Sequence, residues 1–292
     1  LEGKYGDKSK VLRHRMKKYA FYPEDQDNAL QFALFLMNTT PERTMMLNAK
    51  LEEVFTLQTW SRFSSKKQEE EIRRTKATWE ETVDTIIVAS KTTQIPDLRT
   101  ALMHAAVERA RGRMNEVSVV LDQYLEQVSG SDSYASASIA IASFYQESKS
   151  FLRAKGVLEE AIEFQSEKME ISAALGSLLM FGGTEELMQA EKELARAAKA
   201  TGSLVTYANW VQTLIRLQKF DEAMLALQDF EGSNIEYTKT MLESRIHKNK
   251  SEIMLAQGKF SETKLELEKY RALLLKAIKL DSANRTPYLE LC

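Results

Sequence analysis

The side chains in this sequence whose types could do chemistry are three histidines, one cysteine, several paired acids and a single Gly-Gly. His14, His104 and His247 fall on three different predicted helices, and no two share the i, i+4 spacing that a helical zinc site uses. His104 is expected to be a packing histidine and the other two to be solvated. Cys292 is the only cysteine, so neither an intrachain disulfide nor a cysteine metal site can form. Glu159-Glu160 and Glu185-Glu186 fall on outward helix faces or in first turns, where carboxylates favour the helix dipole. "FGGTEE", Phe181 to Glu186, precedes a helix, but a phosphate loop also needs a preceding strand and a Lys followed by Ser or Thr. The simpler expectation is that Gly182 and Gly183 close one helix in a left-handed cap and Thr184 opens the next. No catalytic residue, cofactor or metal is expected, and the chain reads as a non-enzyme.

The elements that carry these residues are helices. Only 11 Gly and 4 Pro punctuate 292 residues rich in Ala, Leu, Glu, Lys, Gln and Met, all strong helix formers. Lys and Arg number 40 and Asp and Glu 42, which removes the overall positive field expected of a nucleic-acid binder. One local exception is the run Lys8, Lys10, Arg13, Arg15, Lys17 and Lys18, expected to be a solvated helix face because Val11, Leu12 and Met16 give it only a narrow apolar stripe. The longest apolar run, Ala29 to Met37, has nine residues, well short of the roughly 20 a membrane helix needs. The opening residues do not read as a signal peptide, and the cysteine usage makes a reducing, cytoplasmic compartment the expectation.

The helices repeat. Stripes at offsets of three and four run through Met114, Val117, Leu121 and Tyr124; through Phe151, Ala154, Leu158 and Ala161; and through Leu187, Ala190, Leu194 and Ala197. They recur at Phe220, Ala223, Leu227 and Phe230, and at Phe260, Thr263, Leu267 and Tyr270. Their compact members, at 117, 154, 190, 223 and 263, are 37, 36, 33 and 40 residues apart. Each stripe follows another predicted helix: Leu98 to Arg111, Tyr134 to Glu147, Glu170 to Phe181, Val205 to Leu217 and Leu242 to Ala256. Two helices joined by a turn of two to four residues pack antiparallel as a hairpin. A compact side chain at the crossing lets the axes approach to about 8 Å, where a leucine would overpack by about 1 to 3 kcal/mol. Trp60, Trp79 and Trp210 lie on helical stripes and are expected in the core.

"ASFYQESKSFLRAKGVLEEA", "MLAQGKFSETKLEL" and the ending "KAIKLDSANR" before Pro287 make the region from Asp97 to about Leu291 resemble the tetratricopeptide repeat family. That family places a small residue in the first helix, Gly at the turn, then an aromatic and alanines. Here Trp210 lies one turn later than the family's tryptophan, Thr263 replaces alanine, and the last hairpin is long. The resemblance implies an all-α fold, a right-handed superhelix (α-solenoid) of antiparallel hairpins. Residues 97-292 would form about five repeats, the chain ending inside the first helix of a further one. Residues 1-96 read as divergent hairpins of the same stack, with a break into a helix at Pro41, a Ser65/Gln68 capping box and a stripe at Ile72, Trp79, Val83 and Ile86. The open faces expected at the two ends imply either a segment of a longer protein or end-to-end self-association.

In such an array the first helix of each pair lines the concave wall. By the resemblance that wall holds Arg99, Arg109, Ser136, Ser143, Gln146, Leu175, Leu179, Gln212, Arg216, Arg245, Lys248 and Glu252. Mixed donors beside an apolar step suit an extended peptide or a partner helix. Family members that grip chaperone carboxyl termini need Lys and Asn, then Asn, then Lys with Arg in successive first helices. Asn209 fits the middle requirement, but Leu175 and Leu179 precede it and Arg245 and Asn249 follow, so that clamp is not expected. The function implied is a non-catalytic protein-protein interaction scaffold. The alternatives are a helical-repeat RNA-binding or RNA-processing factor, against which the charge balance argues, and the regulatory or docking domain of a larger enzyme.

Overall fold

The computed structural model describes residues 30, 31, 33, 97–230 and 235–291. The expectations for His14, the basic run, the Pro41 break, the Ser65 capping box, Trp60, Trp79 and the stripe beginning at Ile72 lie outside the described residues. Leu30 and Ala33, on the apolar run, are helical and buried.

Every regular element among the described residues is an α-helix. Contacts divide the chain into two compact units, Leu1–Ser131 and Asp132–Cys292. The first contains α1 (Leu98–Ala110) packed on α2 (Met114–Val128). Asp97 caps α1 by accepting from the Thr100 N–H at 2.7 Å, and this backbone hydrogen bond holds the Asp97 carboxyl below its ordinary pKa. The second unit contains α3 (Tyr134–Glu147), α4 (Phe151–Phe164), α5 (Met169–Leu179), α6 (Thr184–Thr201), α7 (Leu204–Arg216), α8 (Phe220–Asp229), α9 (Glu236–Ala256), α10 (Phe260–Leu280) and α11 (Thr286–Leu291). Each of these helices packs against the next in sequence. In addition α3 touches α5, α5 touches α7 and α7 touches α9, so the first helices of successive hairpins lie side by side.

The hairpin turns repeat in atomic detail. Gly112, Lys149, Gln218 and Gly258 each stand two residues ahead of a second helix, with φ of 75, 59, 60 and 73°. In each turn the next residue donates its N–H to a carbonyl five residues back: Arg113 to Glu108 (2.9 Å), Ser150 to Tyr145 (2.8 Å), Lys219 to Leu214 (2.9 Å) and Lys259 to Met254 (2.9 Å). This is the left-handed cap that satisfies the orphan carbonyls of a helix end. Glycine adopts it freely, whereas Lys149 and Gln218 do so against the clash of their Cβ atoms.

The turn between α5 and α6 differs. Gly183, with φ −76°, is the residue that precedes α6, and Gly182 is not left-handed either, so the cap expected of this pair is absent. Gly182 is there for space, since a Cβ on it would sit 2.6 Å from the Glu186 Cβ.

The compact stripe residues are the crossing points. Val117, Ala154, Ala190 and Ala223 are fully buried and Thr263 nearly so. In the α5–α6 pair the approach is so close that a Cβ on Gly176 would lie 2.5 Å from Leu194 Cγ. Leu121, Leu158 and Leu194 fill the spaces between the crossings, each such burial stabilising by about 1.5 to 3 kcal/mol.

The aromatic that opens a stripe is less protected: Phe151 and Phe260 are exposed while Phe220 is half-buried. Trp210 is half-buried too, packed on the cluster of Val211, Leu214 and Ile246, with Lys199 Nζ 5.3 Å from its ring centroid.

The last hairpin departs most from the expected pattern. α9 begins at Glu236 rather than Leu242, and both helices run 21 residues. The extra turns have their own core, Met241 against Leu274 and Ala277 with Tyr237, Tyr270 and Leu291, and a Glu236–Lys276 pair at 2.6 Å. The buried line of α10 runs through Thr263, Glu266, Leu274 and Ala277, leaving Leu267 exposed. With Glu266 turned inward, its Oε2 lies 2.5 Å from Nδ1 of His247, which is half-buried rather than solvated. Lys269 reaches the other carboxylate oxygen at 3.0 Å.

Candidate interaction cleft

The side-by-side first helices of the second unit enclose a cleft of about 360 Å³. On α3 it is lined by Ile139, Ala142, Ser143 and Gln146, a stripe at offsets of three, four and seven next to the buried line Ser138, Ile141 and Tyr145. α5 presents Ala174, Ser177 and Leu178, with Met180 and Phe181 following its end, and α7 presents Asn209 and Gln212. Leu158 of α4 forms part of the floor. Ser143 and Gln212 stand six residues before the left-handed turn residues Lys149 and Gln218. They are therefore repeat equivalents, and helical geometry turns them to the same wall.

Hydrogen bonds hold the walls in place. Asn209 Nδ2 donates to Ser177 Oγ at 3.0 Å, tying α7 to α5. Arg216, one turn past Gln212, donates to the carbonyl of Met180. Ser143 donates to Ile139 O at 2.9 Å within its own helix. Among the described residues the side-chain amides of Gln146 and Gln212 have no hydrogen-bond partner, so both leave their donors and acceptors open. None of the cleft-lining side chains is ionisable.

The residues assigned to a groove from sequence divide accordingly. Ser143, Gln146 and Gln212 line the cleft. Leu175 and Leu179 do not: they are 1% and 5% exposed and belong to the hairpin core. α5 is apolar nearly all round, so its sequence does not mark which face is buried, and the α5–α6 crossing takes Leu175 and Leu179 inward. Arg216 is exposed beside the cleft. Ser136 is exposed near the start of α3, where it bonds Ser133 O. Arg99 (exposed) and Arg109 (half-buried) lie on α1 in the other unit.

Arg245, Lys248 and Glu252 form a separate group on α9, around Tyr270. Lys248 Nζ is 5.9 Å from the Tyr270 ring centroid, and the phenol donates to Glu290 Oε2 at 2.9 Å. Burial first, then that hydrogen bond and the charges of Glu290 and Glu252, push the Tyr270 hydroxyl up to about 12, so it remains a neutral donor. The cleft residues missing from the sequence reading are mostly small or apolar, and only their second helical stripe beside the core stripe could have flagged them.

Among the described residues no group of three His, Cys, Asp or Glu is placed to hold a metal ion, and no helix is long and apolar enough to cross a membrane. No family model matches the chain, and no curated protein matches it. The chemistry open to the cleft is neutral hydrogen bonding above an apolar floor.

Proposed function

We propose that the chain is a non-catalytic protein-protein interaction scaffold. In this reading its hairpins form a right-handed superhelix of the tetratricopeptide type, and the wall built by the first helices holds an extended segment of a partner protein. The observation that carries the reading is the α3–α5–α7 cleft, where unpaired amides at Gln146 and Gln212 flank an apolar step at Leu178. Side-chain amides repeat the donor and acceptor pattern of a peptide bond, so they suit a polypeptide backbone.

A displayed random peptide library selected on the chain tests this. Peptides should be retained, and retention should fall when the exposed rim residue Ser143 is changed by Ser143→Trp, which fills the cleft without entering the core. Arg153→Ala, on the exposed side of α4, should leave retention unchanged. Retention that ignores Ser143→Trp, with the variant folded by circular dichroism, would contradict the proposal.

A further inference from the structure

The cleft is uncharged in a chain of which 28% is charged, and that contrast specifies its ligand. We infer that the cleft selects an uncharged, extended stretch of polypeptide, gripping the backbone through Gln146 and Gln212 and burying one bulky apolar side chain on Leu178 and Ile139. This rests on the peptide-binding reading above and adds the chemical class of the segment.

Three observations lead to it. First, Gln146 and Gln212 come from α3 and α7, on either side of α5, so each can pair with a different peptide group of a chain running across the three helices. An amide can accept from the N–H and donate to the C=O of one residue of an extended chain, a pairing that ignores the partner's side chains. Second, the floor offers Ile139, Ala142 and Leu178, so what enters between the two amides gains by being apolar. Third, no lining group can neutralise a charge. Arg216, the one cation of α7, stands exposed beside the cleft one turn past Gln212 and donates to the carbonyl of Met180, and Asn209 is held by Ser177. Between Gln146 and Gln212 a carboxylate or ammonium would lose hydration without an ion partner among the lining side chains.

The test uses the full chain and a random peptide library displayed inside a loop, so that the inserts carry no terminal charge. Retained inserts should centre on Leu, Met, Ile or Phe flanked by uncharged residues, and Gln146→Ala or Gln212→Ala should each weaken a retained peptide about tenfold, the loss of one paired amide. Gln212→Arg should redirect the selection toward inserts bearing Asp or Glu. Inserts that depend on the cleft, as judged by Ser143→Trp, but share an acidic or basic anchor would overturn this inference and leave the peptide-binding reading standing. Inserts indifferent to Ser143→Trp would remove both. Thermal melts of each variant separate lost binding from lost fold.

Discussion

Lys149 and Gln218 show how a single residue can conflict with the conformation its position demands. Both occupy the left-handed turn that Gly112 and Gly258 fill elsewhere, and the shared hydrogen bonds of the turn hold them there. Replacing either by glycine removes a clash of about 1 to 2 kcal/mol and adds the extra entropy glycine loses on folding. Lys149→Gly and Gln218→Gly are therefore each expected to stabilise by about 0.5 to 1 kcal/mol, read as a higher urea midpoint with unchanged slope. Gly176→Val should act in the opposite direction, costing about 1 to 3 kcal/mol, because its side chain would run into Leu194 and the Ala190 carbonyl. The compact crossing residues were legible in the sequence because a repeated small side chain amid Leu and Glu is itself a signal. The left-handed Lys and Gln were not, since nothing in their identity announces the conformation.

At the scale of the element, the pairing of α9 with α10 is governed by a polar contact that hydrophobic periodicity does not reveal. A stripe drawn through Leu267 is the apolar choice, yet burial of Glu266 between His247 and Lys269 rotates α10 away from it. For the same reason His247 could not be placed from sequence alone, whereas the start and end of α3 could, at Tyr134 and Glu147. Burial pushes the Glu266 carboxyl up, but the hydrogen bonds and charges of His247 and Lys269 outweigh it and leave the pKa below its ordinary value. A carboxylate depressed on folding stabilises fully above its unfolded pKa, and the gain is lost as pH falls through the folded value. The stability advantage of the natural chain over Glu266→Gln should accordingly be present at neutral pH and fade below about pH 4. Urea titrations of both proteins across that range would check it, and an advantage that persisted unchanged into acid would refute the assigned pairing.

Across the whole molecule, consecutive helix-on-helix packing was readable from the mid-thirties period and from the near absence of Gly and Pro. The cleft was readable only in part. Ser143, Gln146 and Gln212 were found because repeat equivalence carries a position from hairpin to hairpin, whereas α5, apolar all round, gave its wall to Ala174, Ser177 and Leu178 instead of Leu175 and Leu179. The most direct measurement of the central claim is a nuclear magnetic resonance titration of the isotope-labelled chain with a peptide retained in the selection. The side-chain amide signals of Gln146, Asn209 and Gln212 should shift together and saturate at one stoichiometry. Shifts confined to the exposed residues of α4, α6 and α10, such as Leu152, Met188 and Leu265, with those amides unmoved, would contradict it.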